Sequence, residues 1–289
     1  TVEDVVEACG AKGVHGLVVV SGGFAETGDD AGRERQRRLV AHARGIGMRV
    51  VGPNSFGILN TAADVRLNAS LSPTMPPTGR VGFFSQSGAL GVALLDNVRN
   101  RNLGLSSFVS AGNRVDVSGN DLMQFWEEDE GTDAVLLYLE SFGNPRKFSR
   151  IARRLSRRKP VVVVRSGRFS QRPPQGHLVR RSRLPAVAAE ALFRQAGVIR
   201  VDTIHEMFDV GQLLAHQPLP KGPRVAIVGN SDALARLAID ACDDEGLQVV
   251  RPVRTLGGEA TPQDFAEALE AAFQGDSADA VVALFIPPL

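Results

Sequence analysis

Residues 80–91 read Arg-Val-Gly-Phe-Phe-Ser-Gln-Ser-Gly-Ala-Leu-Gly, and this stretch decides the fold class of the chain. An apolar run ends in small hydroxyl and glycine residues, which is typical of a buried strand that turns directly into a helix. The first turn of a helix offers unpaired N–H groups and partial positive charge. Ser85, Gln86, Ser87 and Gly88 are therefore candidate phosphate-binding residues. An ordinary strand–helix turn capped by Ser85 or Ser87 has the same pattern.

Composition limits the function classes. The chain has 289 residues, 43% hydrophobic side chains and a formal net charge of +1, so it can bury large cores but carries no overall basic field for nucleic acid. No apolar run approaches the roughly 20 residues of a membrane span. Cys9 and Cys242 lie far apart and outside any metal-ligand spacing. We therefore expect a cytoplasmic protein with no disulfide framework and no metal site of its own.

Apolar runs rich in Val, Ile and Leu alternate with amphipathic segments along the whole chain. This alternation predicts the α/β class, with open parallel sheets covered by helices on both faces. The predicted strands are 16–20, 49–52, 81–84, 107–110, 134–139, 161–165, 225–228 and 281–285. The predicted helices are 30–44, 89–99, 120–128, 145–157, 185–195, 204–215 and 232–245.

Two proline-rich stretches, 71–79 and 217–223, interrupt this pattern. Each one precedes a basic residue, a buried strand, a turn containing serine and a helix. We therefore predict three α/β units in tandem, covering residues 1–70, 71–218 and 219–289. The first is expected to be incomplete at its start, and the third to be truncated after its last strand.

Ligands of open α/β sheets bind at the carboxyl ends of the strands, so the loops there are the candidate sites. These loops are 21–26, 52–57, 85–88, 110–113, 140–143 and 166–183, the last of which contains Gly176 and His177. Glu140 ends an otherwise apolar strand, where a carboxylate needs a partner or a water-filled cleft. Glu140 is therefore a candidate to orient a histidine.

Taken in order along the chain, several motifs form one combination. They are Gly52-Pro-Asn-Ser-Phe-Gly57, residues 79–91, Val109-Ser-Ala-Gly-Asn113, Glu140 at its strand end, residues 159–167 and Gly176-His177. In this combination the chain resembles, over essentially its whole length, the alpha-type half of NDP-forming acyl-CoA synthetases, which are relatives of the succinyl-CoA synthetase alpha subunit. Residues 196–209 also resemble the segment that closes the middle domain in this family, including members fused to an acetyltransferase.

The resemblance implies a fold and a reaction. It implies a partial Rossmann-like CoA-binding domain in residues 1–70, followed by a flavodoxin-like succinyl-CoA synthetase domain and a second, truncated flavodoxin-type domain. In the implied reaction an acyl phosphate forms, a histidine carries its phosphoryl group, CoA takes the acyl group, and the phosphate passes to ADP.

The resemblance also assigns residues and partners. His177 aligns with the phosphoryl carrier, Glu140 would fix its tautomer, and the turn at 85–88 would hold the phosphate. The implied CoA-binding or acyl-binding residues are Gly52, Pro53, Asn54, Ser55, Gly112 and Asn113. The substrates would be CoA or acyl-CoA, and ATP or ADP with magnesium. The nucleotide requires a beta-type ATP-grasp domain in cis or in trans, and the assembly implied is a homo-oligomer or a fused protein.

One departure from the family keeps a second hypothesis open. His177 is followed by Leu-Val-Arg-Arg-Ser-Arg at 178–183, where active relatives have small residues and glycines that let the loop move. The alternative is therefore an inactive acyl-CoA-sensing module attached to a GNAT-type acetyltransferase. A serine hydrolase is a poorer interpretation. The nucleophile motif Gly-x-Ser-x-Gly requires glycine two residues before the reactive serine, and the residue two before Ser87 is Ser85. A dinucleotide-binding Gly-x-Gly-x-x-Gly turn is missing as well.

Overall fold

The computed structural model describes residues 2–166, 186–274 and 277–287. The strands in these ranges are β1 (Gly16–Val18), β2 (Arg49–Val51), β3 (Gly57–Asn60), β4 (Leu67–Ser70), β5 (Thr78–Ser85), β6 (Leu105–Ser110), β7 (Ala134–Leu139), β8 (Val161–Arg165), β9 (Ile199–Val201), β10 (Arg224–Gly229), β11 (Gln248–Val249), β12 (Arg254–Thr255) and β13 (Ala280–Leu284). The α-helices are α1 (Val2–Ala11), α2 (Asp30–Gly45), α3 (Gly91–Asn100), α4 (Gly119–Glu128), α5 (Pro145–Ser156), α6 (Ala186–Ala196), α7 (Ile204–His216), α8 (Asp232–Asp244) and α9 (Pro262–Phe273). No described helix is both long and apolar enough to cross a bilayer.

The chain forms two compact units, Thr1–Gln217 and Pro218–Leu289. The first unit contains a seven-stranded sheet in the order β4-β3-β6-β5-β7-β8-β9. Strands β5 to β9 are parallel, whereas β3 runs antiparallel to both β4 and β6. The parallel strands bring the loops that follow β5, β6 and β7 to one edge of the sheet.

Both faces of the large sheet are buried, which explains why its central strands are apolar without alternation. On one face Leu137 and Leu139 pack with residues of α4, α5 and α6, including Trp126 and Phe148. On the other face strand side chains such as Phe83 pack with residues of α3 and α7. This two-sided burial holds β5 to β8 rigidly in place, so the loops at their carboxyl ends start from fixed positions.

A smaller sheet precedes the large one within the first unit. Its parallel strands β1 and β2 pack with α1 and α2 around a core that contains Val6, Leu39, Met48 and Val50. In the second unit β10 pairs in parallel with β11, β12 and β13, and α8 and α9 pack against it.

The predicted α/β class and all eight predicted strands are confirmed, and so are the seven predicted helices. The prediction missed α9 and the short strands β3, β4, β9, β11 and β12. Strand β4 reads Leu-Asn-Ala-Ser and has no strand-like pattern of its own. It is a strand because it pairs with β3. The sheets were also expected to be parallel throughout, and β3 with β4 adds an antiparallel edge. Since β3 and β4 belong to the large sheet, that sheet begins ahead of residue 71; the division into three units stays a prediction.

Candidate functional site

Three loops meet so closely at the carboxyl edge of the sheets that only glycine fits at two of the contacts. A Cβ atom on Gly88 would lie 2.8 Å from the carbonyl oxygen of Asn54. A Cβ atom on Gly112, whose φ is +52°, would lie 2.2 Å from the Pro53 oxygen and 2.4 Å from the Asn54 oxygen. The structure therefore brings together the predicted CoA loop at 52–55, the predicted phosphate turn at 85–88 and the loop at 110–113.

Ser55 anchors the first of these loops to β6. Its hydroxyl donates to the Ser110 carbonyl oxygen over 2.5 Å and accepts from the Gly57 N–H over 2.9 Å. The Asn113 N–H donates to the Pro53 oxygen over 2.8 Å. Ser55 is buried and holds the loop in place through these bonds, and its predicted CoA contact stays a prediction.

Asn54 and Asn113 differ in what they can offer to a ligand. Asn54 is exposed, and its side-chain amide donates to Asn113 Oδ1 over 3.4 Å. Asn113 is buried, and its Nδ2 donates to Glu26 Oε2 over 2.5 Å and to Gln36 Oε1 over 2.8 Å. Asn54 is therefore the side chain of this pair that faces solvent, and Asn113 ties it to the interior.

Glu26 is a site residue that the sequence analysis did not single out, although it lies in one of the candidate loops. Its Oε1 accepts from the backbone N–H groups of Gly23 and Phe24 over 2.5 and 3.0 Å. Burial by itself would raise the pKa of this carboxyl, but the hydrogen bonds from Asn113 and from the backbone outweigh burial and lower it. Glu26 is thus held as a carboxylate and is linked through Asn113 to the predicted CoA loop.

The turn after β5 connects that strand to α3, as the sequence pattern predicts, and its role as an anion site stays a prediction. Ser85 is fully buried, and its hydroxyl accepts from the Ser87 N–H over 3.2 Å. Within the described part of the chain, the N–H groups of Gly88 and Ala89 have no hydrogen-bond acceptor. Gly88 and Ala89 therefore offer backbone donors to an anion, whereas the Ser87 N–H is already bonded to the Ser85 hydroxyl.

Gln86 holds the neighbouring loop in position. Its Nε2 donates to the Ser141 oxygen over 2.8 Å, and its Oε1 accepts from the N–H groups of Glu140 and Ser141 over 2.7 and 2.9 Å. These bonds give the buried Gln86 amide a positioning role, and its predicted phosphate contact stays a prediction. It fixes Glu140 beside the anion turn.

Glu140 shares its surroundings with Arg114, which the sequence analysis missed. Burial raises the pKa of Glu140, and the positive charge of Arg114 opposes this effect. Burial lowers the pKa of Arg114 to about 10, and Glu140 opposes that shift in turn. The available signal was position, since Arg114 directly follows the loop at 110–113.

A cleft of about 170 Å³ opens next to this pair, between the starts of α4 and α5 and the loop at 141–144. We call it the Arg114 cleft. Arg114 lies at its wall, where its Nη1 and Nη2 donate to the carbonyl and hydroxyl oxygens of Ser141, each over 3.0 Å. Its floor is apolar and includes Leu139 and Phe148.

His177 lies outside the described residues, so its predicted place beside Glu140 stays a prediction. Among the residues that are described, no three His, Cys, Asp or Glu side chains come together as metal ligands.

Comparison with known proteins assigns the chain to a family. Residues 78–214 match the family described as the succinyl-CoA ligase like flavodoxin domain. The chain is 39% identical over 253 residues to the alpha subunit of acetate–CoA ligase [ADP-forming] I of Pyrococcus furiosus, covering 86% of this chain and 53% of that subunit. This chain is a homologue of the alpha-type parts of ADP-forming acetate–CoA ligases.

Other relatives of the chain indicate the same family. It is 34% identical over 308 residues to acetate–CoA ligase [ADP-forming] I of Archaeoglobus fulgidus, covering 98% of this chain and 44% of that protein. A solved dinucleotide-forming acetyl-coenzyme A synthetase 1 of Ca. Korarchaeum cryptofilum, in complex with phosphate and ADP, superposes with a TM-score of 0.88 at 32% identity. That match covers 98% of this chain and 65% of the solved chain.

The chain spans about half the length of the Pyrococcus furiosus and Archaeoglobus fulgidus relatives. The predicted resemblance and the flavodoxin-like succinyl-CoA ligase domain are confirmed. The relatives reported are CoA ligases, and nothing among them supports the acetyltransferase-linked sensor.

Proposed function

We propose that this chain is the alpha-type part of an NDP-forming acyl-CoA ligase, which binds CoA or acyl-CoA and transfers a phosphoryl group through His177. The observation that carries the proposal is the meeting of the loops at 52–55, 85–88 and 110–113 at one edge, with Glu140 held beside them by Gln86. This edge combines an anion turn, a carboxylate and an exposed amide.

Each group has a physical role in this reaction. The N–H groups of Gly88 and Ala89 suit a phosphoryl group, because they donate hydrogen bonds and α3 follows directly with its positive end. Glu140 is suited to accept a hydrogen bond from an imidazole N–H, which would select the tautomer of His177. Arg114 favours the ionised form of Glu140 and so supports that hydrogen bond.

CoA would meet the loop at 52–55. Asn54 offers an exposed amide there, and glycine at positions 88 and 112 keeps the neighbouring backbone close without a side chain in the way. ATP or ADP with magnesium would bind in a beta-type ATP-grasp domain, supplied in cis or in trans. The Pyrococcus furiosus relative is named as an alpha subunit, and the solved Korarchaeum relative holds ADP and phosphate, which supports this division. Such an assembly would be cytoplasmic and homo-oligomeric.

The test is phosphorylation of the chain. Incubation with a beta-type ATP-grasp subunit, magnesium and ATP labelled in its γ-phosphate should place acid-labile, alkali-stable phosphate on the protein. His177→Ala should remove the label, and Glu140→Gln should reduce it at least tenfold if the carboxylate orients the imidazole. His205→Ala, which changes an exposed histidine on α7, is the matched control and should label normally. Undiminished labelling of His177→Ala would rule out the proposed carrier.

A further inference from the structure

The outer face of α5 concentrates positive charge that the overall net charge of +1 conceals. Between Glu140 and Glu190 the sequence contains 14 Lys and Arg residues and no Asp or Glu. Seven of these cations lie on α5 or directly after it, and all seven are exposed. We call them the α5 cation stripe: Arg146, Lys147, Arg150, Arg153, Arg154, Arg157 and Arg158.

Helical spacing places the stripe on one side of α5. At about 100° per residue, the seven cations fall within an arc of about 140°. The opposite side of the helix is buried in the core of the large sheet through Phe148, Ile151, Ala152 and Leu155. The stripe is about 18 Å long, at about 1.5 Å per residue. A single phosphate or carboxylate would contact only part of it, so the stripe suits an extended polyanion.

Most of the stripe has no carboxylate partner. Arg154 binds Glu127, and the other six cations form no ion pair within the described part of the chain. Helix α2 provides an internal comparison, because it is also rich in arginine. Four of its arginines each pair with an aspartate or a glutamate: Arg33, Arg37, Arg38 and Arg44. The high arginine content of this chain therefore does not by itself leave cations unpaired.

The unpaired stripe has an energetic cost for the helix. Arg146 and Arg150 lie four residues apart on α5, and Arg153 and Arg157 have the same spacing. Like charges at this spacing repel each other and destabilise a helix. A bound polyanion would replace this repulsion with attraction, and would so remove a cost that the unbound chain carries.

The side chains of α5 distinguish among the candidate polyanions. No aliphatic or aromatic side chain of α5 is exposed. A helix that binds a membrane surface buries apolar side chains in the lipid, and a stable protein interface has an apolar centre that is depleted of charge. Single-stranded nucleic acid stacks its bases on exposed aromatic rings. The phosphate backbone of a double helix needs only cations and hydrogen-bond donors.

We propose that the α5 cation stripe binds the phosphate backbone of double-helical nucleic acid without reading its sequence. Arginine suits this role, because its planar guanidinium binds a phosphate through two parallel hydrogen bonds. Arg146, Arg150, Arg153 and Arg157 follow one another along the helix axis at about 4.5–6 Å. Each strand of a duplex carries one phosphate per about 3.4 Å of its axis, so successive arginines can each reach a phosphate.

Fluorescence anisotropy of the 289-residue chain with labelled DNA and RNA duplexes of about 20 base pairs tests the proposal. Apart from Arg153 and Arg154, the stripe side chains have no bonding partner among the described residues, which leaves five for phosphate. Five contacts with B-form DNA should give a slope of log K against log salt of about −4.5. Affinity should then fall about 500-fold between 50 and 200 mM salt. Such binding to either duplex, equal for unrelated sequences, supports the proposal.

A combined variant locates the contact on α5. Arg146→Gln, Arg150→Gln and Arg157→Gln together should make the slope less negative by about 2.7. Lysine at the same three positions keeps the positive charge and should restore the slope. All three side chains are exposed, and Trp126 fluorescence checks that each variant has folded.

The matched control removes the same charge from α2. Arg33→Gln, Arg37→Gln and Arg38→Gln together take away three cations that are already paired, and should leave the slope unchanged. An equal change of slope in the two combined variants would show attraction to the overall charge of the chain. That result would overturn the stripe as the contact.

Two other polyanions complete the test. Polyglutamate that binds as tightly as the duplexes would assign the stripe to an acidic protein surface, and equally tight binding to phosphatidylserine vesicles would assign it to a membrane. Either result overturns the proposal, as does the absence of binding to both duplexes at low salt. None of these outcomes alters the labelling expected at His177, so this inference and the proposed function stand or fail separately.

Discussion

The carboxylate of Glu26 accepts hydrogen bonds from Asn113 and from the backbone N–H groups of Gly23 and Phe24. Through Asn113 it is linked to Asn54, the exposed amide of the proposed CoA loop. One charged side chain thus connects the loops that follow β1, β2 and β6. Loss of its charge should therefore disturb the loops on which the proposed CoA contact depends.

Glu26→Gln should lower the free energy of unfolding by about 1–3 kcal/mol at neutral pH, because the NH₂ of glutamine would face the NH₂ of Asn113. The pKa of Glu26 is lowered in the folded chain, so its carboxylate stabilises the fold above the ordinary value of 4.5 and loses this effect as the pH falls. The difference from the unaltered chain should accordingly shrink between about pH 5 and about pH 3.

Urea unfolding across this pH range measures the effect. Glu7→Gln, at an exposed position on α1, is the control and should change stability little at any pH. A loss in Glu26→Gln that is constant with pH would show that the charge of Glu26 is not what stabilises the loops.

Among larger elements, the segment that follows Arg114 connects the two sheets of the first unit. The N–H groups of Val115 and Val117 donate to the Gly52 and Val50 carbonyl oxygens over 3.3 and 3.1 Å. Asp116, between them, has a side chain only 4% exposed, and it binds Arg44, Arg49 and the backbone of β2. This segment holds the proposed CoA loop in register with the anion turn.

Asp116→Asn should destabilise the chain by about 1–3 kcal/mol, because it removes charge-assisted bonds to two arginines while leaving an acceptor for the Val50 N–H. Urea unfolding at neutral pH gives the value. CoA binding should weaken in parallel, since the loop at 52–55 would lose part of its support. Asp64→Asn, at an exposed loop position, is the comparison variant. Equal stability of the two variants would contradict the anchoring role of Asp116.

The whole molecule has two compact units with separate cores, and Trp126, the single tryptophan, lies in the first. In the second unit Asp279 accepts hydrogen bonds from the backbone and the guanidinium of Arg224 over 2.9 and 3.0 Å. These bonds lower the pKa of Asp279 to about 2. Because that pKa is depressed, the stability that Asp279 contributes is lost only as the pH falls from about 4 toward 2.

Asp279→Asn should therefore lower the urea midpoint of the second unit at neutral pH. The Trp126 fluorescence midpoint, which reports the first unit, should stay unchanged. Far-UV circular dichroism and tryptophan fluorescence, recorded on the same samples, separate the two transitions. A shift of the fluorescence midpoint equal to that of the dichroism would show that the units unfold as one.

Local patterns in the amino-acid sequence were enough for the central elements and for the family. Strands such as β5 and β7 are buried on both faces, so their residues must be apolar in an unbroken run, and the following glycine or serine marks the turn. The turn at 85–88 after β5 and the position of Glu140 directly after β7 were predictable for the same reason, whereas their roles with phosphate and histidine stay predictions.

Tertiary structure alone decided which of these groups act together. Glu26 and Arg114 belong to no sequence motif. They contribute to the candidate site because folding places Glu26 beside Asn113 and Arg114 near Glu140, which are distant from them in the sequence. Strand β4 exists only through its pairing with β3. Ser55 and Gln86 hold their loops because their buried polar atoms have partners that the sequence does not indicate. Sequence periodicity encodes burial of a segment, whereas hydrogen-bond partners and desolvation depend on distances that only the packed chain defines.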